Sequence, residues 1–263
     1  MKHVRWPLEG FENISRLSTR KPRERAAQGT NFPSRYMRYW FAASVLRQLH
    51  ASLGRPLKVL EVGVDRGDLL AFLGGPKVAD DVFALPDWIE RWDGFDVQFD
   101  PAVVRRLSYS NAFERDIEAP SLDLPVRYDA IVLLHILEHL SDPEAALGRL
   151  RQYLEPNGVL VGGSPTMPGI LGAIYEPKLR RRYAPVMHDV RIHKHLSVIS
   201  PGRIRRFART HGLTVGLLTG AFFLRASGSW LENSEAWVRA NLAWGAMFPS
   251  LGGEVYFSLM NPC

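Results

Sequence analysis

Cysteine is nearly absent: the 263 residues hold one, Cys263, which excludes an intramolecular disulfide and fits a reducing, cytoplasmic setting. Long apolar runs are missing too. No stretch reaches the roughly 18 to 20 uninterrupted apolar residues that span a bilayer, and the opening MKHVRWPLEGFENISR has no apolar core of the kind a secretory signal carries. No repeat or low-complexity tract breaks the chain, so one α/β core with decorations is expected. Acidic residues are scarce in two places. Residues 1–58 hold 12 Lys/Arg against 3 Asp/Glu and 176–211 hold 10 against 2, whereas 59–175 hold 9 against 19. An acidic middle suits a cationic ligand, and basic arms suit an anionic acceptor or a membrane surface, unless they are simply solvated helix faces.

What is present alternates as strand and helix. Residues 1–57 read as a basic arm, irregular to about residue 34, followed by a helix over 36–53 on which Trp40, Phe41, Val45, Leu46 and Leu49 recur at helical spacing. Residues 58–263 form the main domain. Strands are predicted at 58–63, 92–97, 128–134, 158–162, 213–218 and 254–260, and helices at 68–73, 102–107, 143–154 and 201–211. Ser141 or Asp142 before Pro143 can cap a helix start, and Pro156-Asn157-Gly158 reads as a turn. This order predicts an α/β fold with a doubly wound, mostly parallel sheet, which binds ligands at the carboxyl ends of its strands. The stretches 164–200 and 224–253 are too long for simple connections and read as insertions at the site.

The most informative segment is Lys-Val-Leu-Glu-Val-Gly-Val-Asp-Arg-Gly-Asp-Leu-Leu, 58–70, a buried strand entering a turn and then a helix. Asp96 closes the next strand, and Phe-Glu-Arg-Asp-Ile follows at 113–117. At 128–143 stands Tyr-Asp-Ala-Ile-Val-Leu-Leu-His-Ile-Leu-Glu-His-Leu-Ser-Asp-Pro, and at 154–161 Leu-Glu-Pro-Asn-Gly-Val-Leu-Val. Together these resemble, in order over 58–162, the motifs of class I S-adenosylmethionine-dependent methyltransferases, in particular the quinone-biosynthesis O-methyltransferases. A weaker echo runs through 193–206.

The resemblance implies a Rossmann-like, seven-stranded methyltransferase sheet and S-adenosylmethionine as cofactor. It implies that Glu61, Gly63, Asp65 and Gly67 form the cofactor turn, with Asp65 where the family has its middle glycine. Asp96 would take the ribose hydroxyls, Asp116 the adenine amino group, and Ile117 and Leu134 would lie against the cofactor. Arg35, after Pro33-Ser34, is similar to an element that meets the cofactor carboxylate.

For the chemistry, an acceptor hydroxyl needs a base, and His139 is the first candidate, standing just beyond the fourth strand. His135 and His193 are the others. On a helical turn His135, Glu138 and His139 would share one face, and the quinone-type relatives have Glu-x-x-Glu-His there with a divalent cation; His135 replaces the first Glu, so a softer metal, or none, follows. The plain alternative is that His139 braces the helix. His188, Asp189, His193 and His195 could serve as base, metal ligands, anion holders or loop structure. The stripe from Trp230 to Phe248 reads as a core cap, a dimer contact, or a greasy lid over the acceptor. With Arg180-Arg181-Arg182 it suits an anionic small-molecule, sugar or lipid-linked acceptor, and the resemblance implies O-methylation of it; peripheral membrane contact and a homodimer are both open and DNA is not expected. Two other classes compete: an RNA-binding methyltransferase-like module, which the basic arms allow but no RRM, KH or zinc-knuckle pattern supports, and a nicotinamide-dependent oxidoreductase, whose G-x-G-x-x-G residues 63–68 do not supply.

Overall fold

The computed structural model describes residues 7–79, 82–186, 194–222 and 227–262. In chain order the helices are α1 Pro22–Gln28, α2 Met37–Leu53, α3 Asp68–Leu73, α4 Pro101–Arg106, α5 Pro143–Arg151, α6 Gly169–Tyr183, α7 Pro201–Thr210 and α8 Glu235–Met247. The strands are β1 Leu57–Val62, β2 Lys77–Ala79, β3 Val82–Phe83, β4 Ile89–Asp96, β5 Asn111–Glu114, β6 Tyr128–Leu134, β7 Leu154–Pro165, β8 Thr214–Ala221 and β9 Glu254–Met260. Seven of these make one sheet in the order β5-β4-β1-β6-β7-β9-β8, and β2 pairs with β3 apart from it. The pairings among β5, β4, β1, β6 and β7 are parallel; β9 runs against both β7 and β8.

Period-two alternation sorts the sheet's side chains onto two faces. On β6, Ala130 and Val132 enter one apolar cluster with Trp40, Phe41 and Leu46 of α2 and Val238 and Leu242 of α8. Ile131 and Leu133 enter the other, with Leu147 and Leu150 of α5 and Ile204 and Phe207 of α7. Helices therefore cover both faces, as a parallel sheet requires. Chain order moves outward from β1 in opposite directions toward β4 and toward β6, so the ligand crevice lies at the carboxyl ends of those strands.

Local signals placed several elements where expected. Asp142 caps α5, accepting from Ala145 N at 3.0 Å with Pro143 in the first turn, and Ser200 caps α7 through Arg203 N at 3.3 Å. The sequence expectation fails elsewhere. The stretch before residue 34 is not irregular throughout: Phe11–Arg16 forms 3₁₀ turns, α1 follows, and Phe11, Ile14 and Leu17 are buried in the same core as α2. The insertion at 164–200 contains the 15-residue α6, and that at 224–253 contains α8, which packs on β8. β7 starts at Leu154, with Asn157 at φ +65° inside a register shift against β6 rather than in a free turn.

Candidate active site

At the end of β1 the chain turns through residues 63–67 into α3. A side chain at Gly63, where φ is +78°, would put Cβ 1.9 Å from Ile136 Cδ1; one at Gly67, where φ is +67°, would put it 2.3 Å from Leu107 Cδ1. Both positions need glycine for space and for the left-handed backbone. Asp65 adopts that region at φ 45° and turns its backbone N–H onto Asp96 Oδ2 at 3.0 Å. Asp96 Oδ1 accepts from Val97 N at 2.7 Å, so backbone donors hold the carboxylate from both strand ends. Glu61 is buried beneath the turn, where its Oε2 accepts from Trp92 Nε1 at 2.9 Å and Tyr109 Oη at 2.7 Å. Burial pushes its carboxyl up to about 7, against the opposing pull of those two hydrogen bonds.

Beyond β5, Asp116 Oδ1 accepts from Glu118 N at 2.8 Å, and Ile117 is buried beside it. Glu118 Oε1 then accepts from Ser141 N, Ser141 Oγ and Asp142 N at 2.9, 2.6 and 3.0 Å, tying this loop to the one after β6.

Past Leu134, the last residue of β6, His135 takes φ +59° and its N–H donates to Gly163 O at 2.7 Å. That turn aims its ring at two buried carboxylates: Nε2 is 3.1 Å from Glu254 Oε1, and Nδ1 is 3.7 Å from Glu138 Oε1. Glu138 and His139 follow in a single 3₁₀ turn, Leu137–His139. Glu138 is 2% exposed, and its Oε2 accepts from Ser164 Oγ at 2.9 Å. Burial raises its pKa, partly offset by His135 and the Ser164 bond. His139 Nδ1 meets the Lys194 carbonyl at 2.5 Å, its Nε2 lies 3.9 Å from Glu138 Oε1, and its ring stands edge-on to His195 at 4.9 Å between centroids.

The third wall comes from the N-terminal region. Arg35 Nη2 pairs with Glu24 Oε1 at 3.2 Å, and Arg66 Nη1 with Glu24 Oε2 at 3.3 Å. Arg38 donates to Tyr39 Oη at 2.9 Å, and among the described residues no carboxylate lies within ion-pair distance of it. One cavity of about 1410 Å³ joins all three walls. Its lining includes the residue 63–68 turn, Asp96, Asp116, Ile117, Leu134, His135, Glu138, His139, Lys194 and His195, together with Arg35 and Arg38.

Every expected cofactor residue except Gly67 thus lines one space, and Gly67 closes its turn. The histidines divide differently from the expected grouping of His135, Glu138 and His139. Among the described residues it is Glu138, His139 and His195 whose donor atoms lie within 4.8 Å of one another, while His135 also reaches Glu254. His188, Asp189 and His193 lie outside the described residues. Sequence reasoning passed over Glu254, Glu118, Arg38 and Glu24. Glu254 left a trace, as a carboxylate opening a mostly apolar strand.

A sheet of this order, with a glycine turn after its first strand and a held carboxylate after its second, defines the class I methyltransferase fold. The methyltransferase domain family matches residues 34–217, well over half the chain, and the chain belongs to that family of S-adenosylmethionine-dependent enzymes. This membership removes the oxidoreductase alternative. The ubiquinone biosynthesis O-methyltransferase of Azotobacter vinelandii is 27% identical over 177 residues, covering 62% of this chain and 67% of that protein. Among solved structures, the N-methyltransferase NodS of Bradyrhizobium japonicum WM9 with S-adenosylhomocysteine is similar at TM-score 0.48 and 16% identity, covering 97% of this chain and 99% of that one. The magnesium protoporphyrin IX methyltransferase of Synechocystis PCC 6803 with bound S-adenosylmethionine is similar at TM-score 0.48 and 12% identity, covering 96% and 91%.

Proposed function

We propose that this methyltransferase acts on a hydroxyl oxygen of an anionic small-molecule, sugar or lipid-linked acceptor, with His139 as general base. The carrying observation is the His139 ring. A carbonyl can only accept, so the bond to Lys194 O places the proton on Nδ1 and leaves Nε2 with the lone pair. His139 lines the same cavity as the turn at residues 63–66. Bound S-adenosylmethionine supplies an electrophilic methyl; the chain supplies alignment and proton removal. The acceptor proton passes to Nε2, and the carboxylate of Glu138, 3.9 Å away, favours the imidazolium so formed. Arg38 is the guanidinium placed to meet an anionic group, either of the acceptor or of the cofactor's own carboxylate. The ubiquinone-pathway relative, an O-methyltransferase by name, supports the choice of oxygen.

His139→Ala should lower the methyl-transfer rate by about 10² to 10⁴ and leave S-adenosylhomocysteine affinity nearly unchanged. Unchanged turnover with a lower melting temperature would make His139 a brace. Glu138, His139 and His195 also form a donor set that suits a transition metal. Since a metal-bound Nε2 could not take the proton, the base reading expects full turnover in EDTA. Loss there, restored by an added divalent ion, would give the site to the metal.

A further inference from the structure

The insertion after β7 presents a surface that the chemistry above does not use. In α6, Ile170, Leu171, Ile174 and Tyr175 are 81%, 55%, 56% and 52% exposed. At about 100° per residue these four fall within one arc of about 140°, and Lys178, Arg181 and Arg182 of the same helix fall within it as well. The face is therefore apolar in its first half and cationic in its second. It carries no carboxylate: Glu176 lies on the opposite side, bonded to Val198 N at 2.9 Å and Arg203 Nη1 at 2.8 Å. Exposed Phe248 and Leu251 lie at the same end of the sheet, in the loop whose Gly253 carbonyl accepts from Thr166 N at 3.3 Å, just before α6 begins.

We propose that α6 is an interfacial helix that seats the enzyme on an anionic phospholipid surface, its N-terminal turns entering the acyl boundary and its last turn meeting the headgroups. Contiguous exposed apolar side chains of this kind mark an interaction surface rather than ordinary solvent exposure. The charge decides the partner. A protein partner would need an acidic, apolar groove of matching shape, whereas an anionic bilayer offers negative headgroups above hydrocarbon with no register to match. The inner side of the helix is built to hold it against the site. Arg180 Nη2 donates to Ser141 O at 2.7 Å and Ser197 Oγ at 3.2 Å, and Lys194 Nζ donates to Val186 O at 2.9 Å in the turn that ends α6. The segment carrying Lys194 and His195 is thereby fastened to the membrane-facing helix, and the inference stands whichever atom is methylated.

Flotation with phosphatidylcholine vesicles, with and without phosphatidylglycerol, tests this on the full chain. The protein should float with the anionic vesicles, at least about tenfold more weakly with neutral ones, and lose binding as salt is raised. Ile170→Asp/Ile174→Asp and Lys178→Gln/Arg181→Gln/Arg182→Gln should each weaken binding at least about tenfold while S-adenosylhomocysteine affinity stays unchanged. Should the Asp pair disturb folding, the milder Ile170→Ser/Ile174→Ser reads the same face. The proposal is overturned if the wild type ignores anionic vesicles, or if the apolar variants bind as well as the wild type. It is equally overturned if vesicles are ignored and the apolar variants split a dimer seen by light scattering, which would make the face a contact between copies.

Discussion

Asp96 shows how much of the cofactor end rests on single carboxylates. Its two oxygens take backbone N–H groups of residues 65 and 97, which fix the carboxylate at the end of β4. Asp96→Ala should weaken S-adenosylhomocysteine by about 1 to 3 kcal/mol, the scale of a lost charge-assisted pair, readable by calorimetry. Glu61 titrates in reverse of an ordinary surface acid. With a folded-state value of about 7 above its usual 4.5, its contribution to stability is full below the usual value and is lost as pH rises through 7. The melting temperature should fall between about pH 4.5 and 7, and Glu61→Gln, which still accepts from Trp92 and Tyr109, should flatten that fall. At this scale the sequence pointed to residues that line one cavity, because each group of them stands at a strand end or turn that its own local pattern marks. It could not show Glu254 beside His135, since nothing local records a contact made across 119 positions.

Elements were legible where a buried stripe sets the period. α5 and α7 bury one side and announce themselves, and α2 buries its first half all round; α6 buries only Gly172, so apolar spacing gave no inward face to read. α1 could have been found, for Pro22 opens it and Glu24 accepts from Lys21 N at 3.1 Å. What holds α6 is an ionic hub. Glu176 takes Arg203, Arg180 and Val198 N, while Arg203 also reaches Glu144 at 2.5 and 2.6 Å. Glu176→Ala should cost about 1 to 3 kcal/mol in urea unfolding and speed proteolysis in α6 ahead of the sheet, because two guanidinium groups lose their shared acceptor. Gly63→Ala should be worse for function than for fold. The new Cβ meets Ile136 in the loop after β6, beside the glycine turn, so cofactor affinity should drop before the melting temperature does.

Across the whole molecule, one apolar cluster runs from Phe11 through α2 and the sheet to Tyr256. The N-terminal region that composition set apart as a basic arm is therefore packed into the same interior. Urea transitions followed by circular dichroism and by tryptophan fluorescence should coincide, with Trp40 and Trp92 reporting from the core. An earlier fluorescence phase would show the N-terminal region melting alone.

The reversed strand sets a timetable for synthesis. β8 joins the sheet only through β9, and β9 also delivers Glu254 to His135. On the ribosome the parallel part of the sheet can assemble once residue 165 has emerged, leaving the far edge of β7 open until the chain has been made through residue 260. For roughly a hundred residues of elongation, at about 5 to 20 residues per second, the nascent enzyme holds a formed glycine turn beside a His135 that still lacks Glu254 and a bare strand edge. The last strand in is thus both the seal on that edge and the step that completes the site.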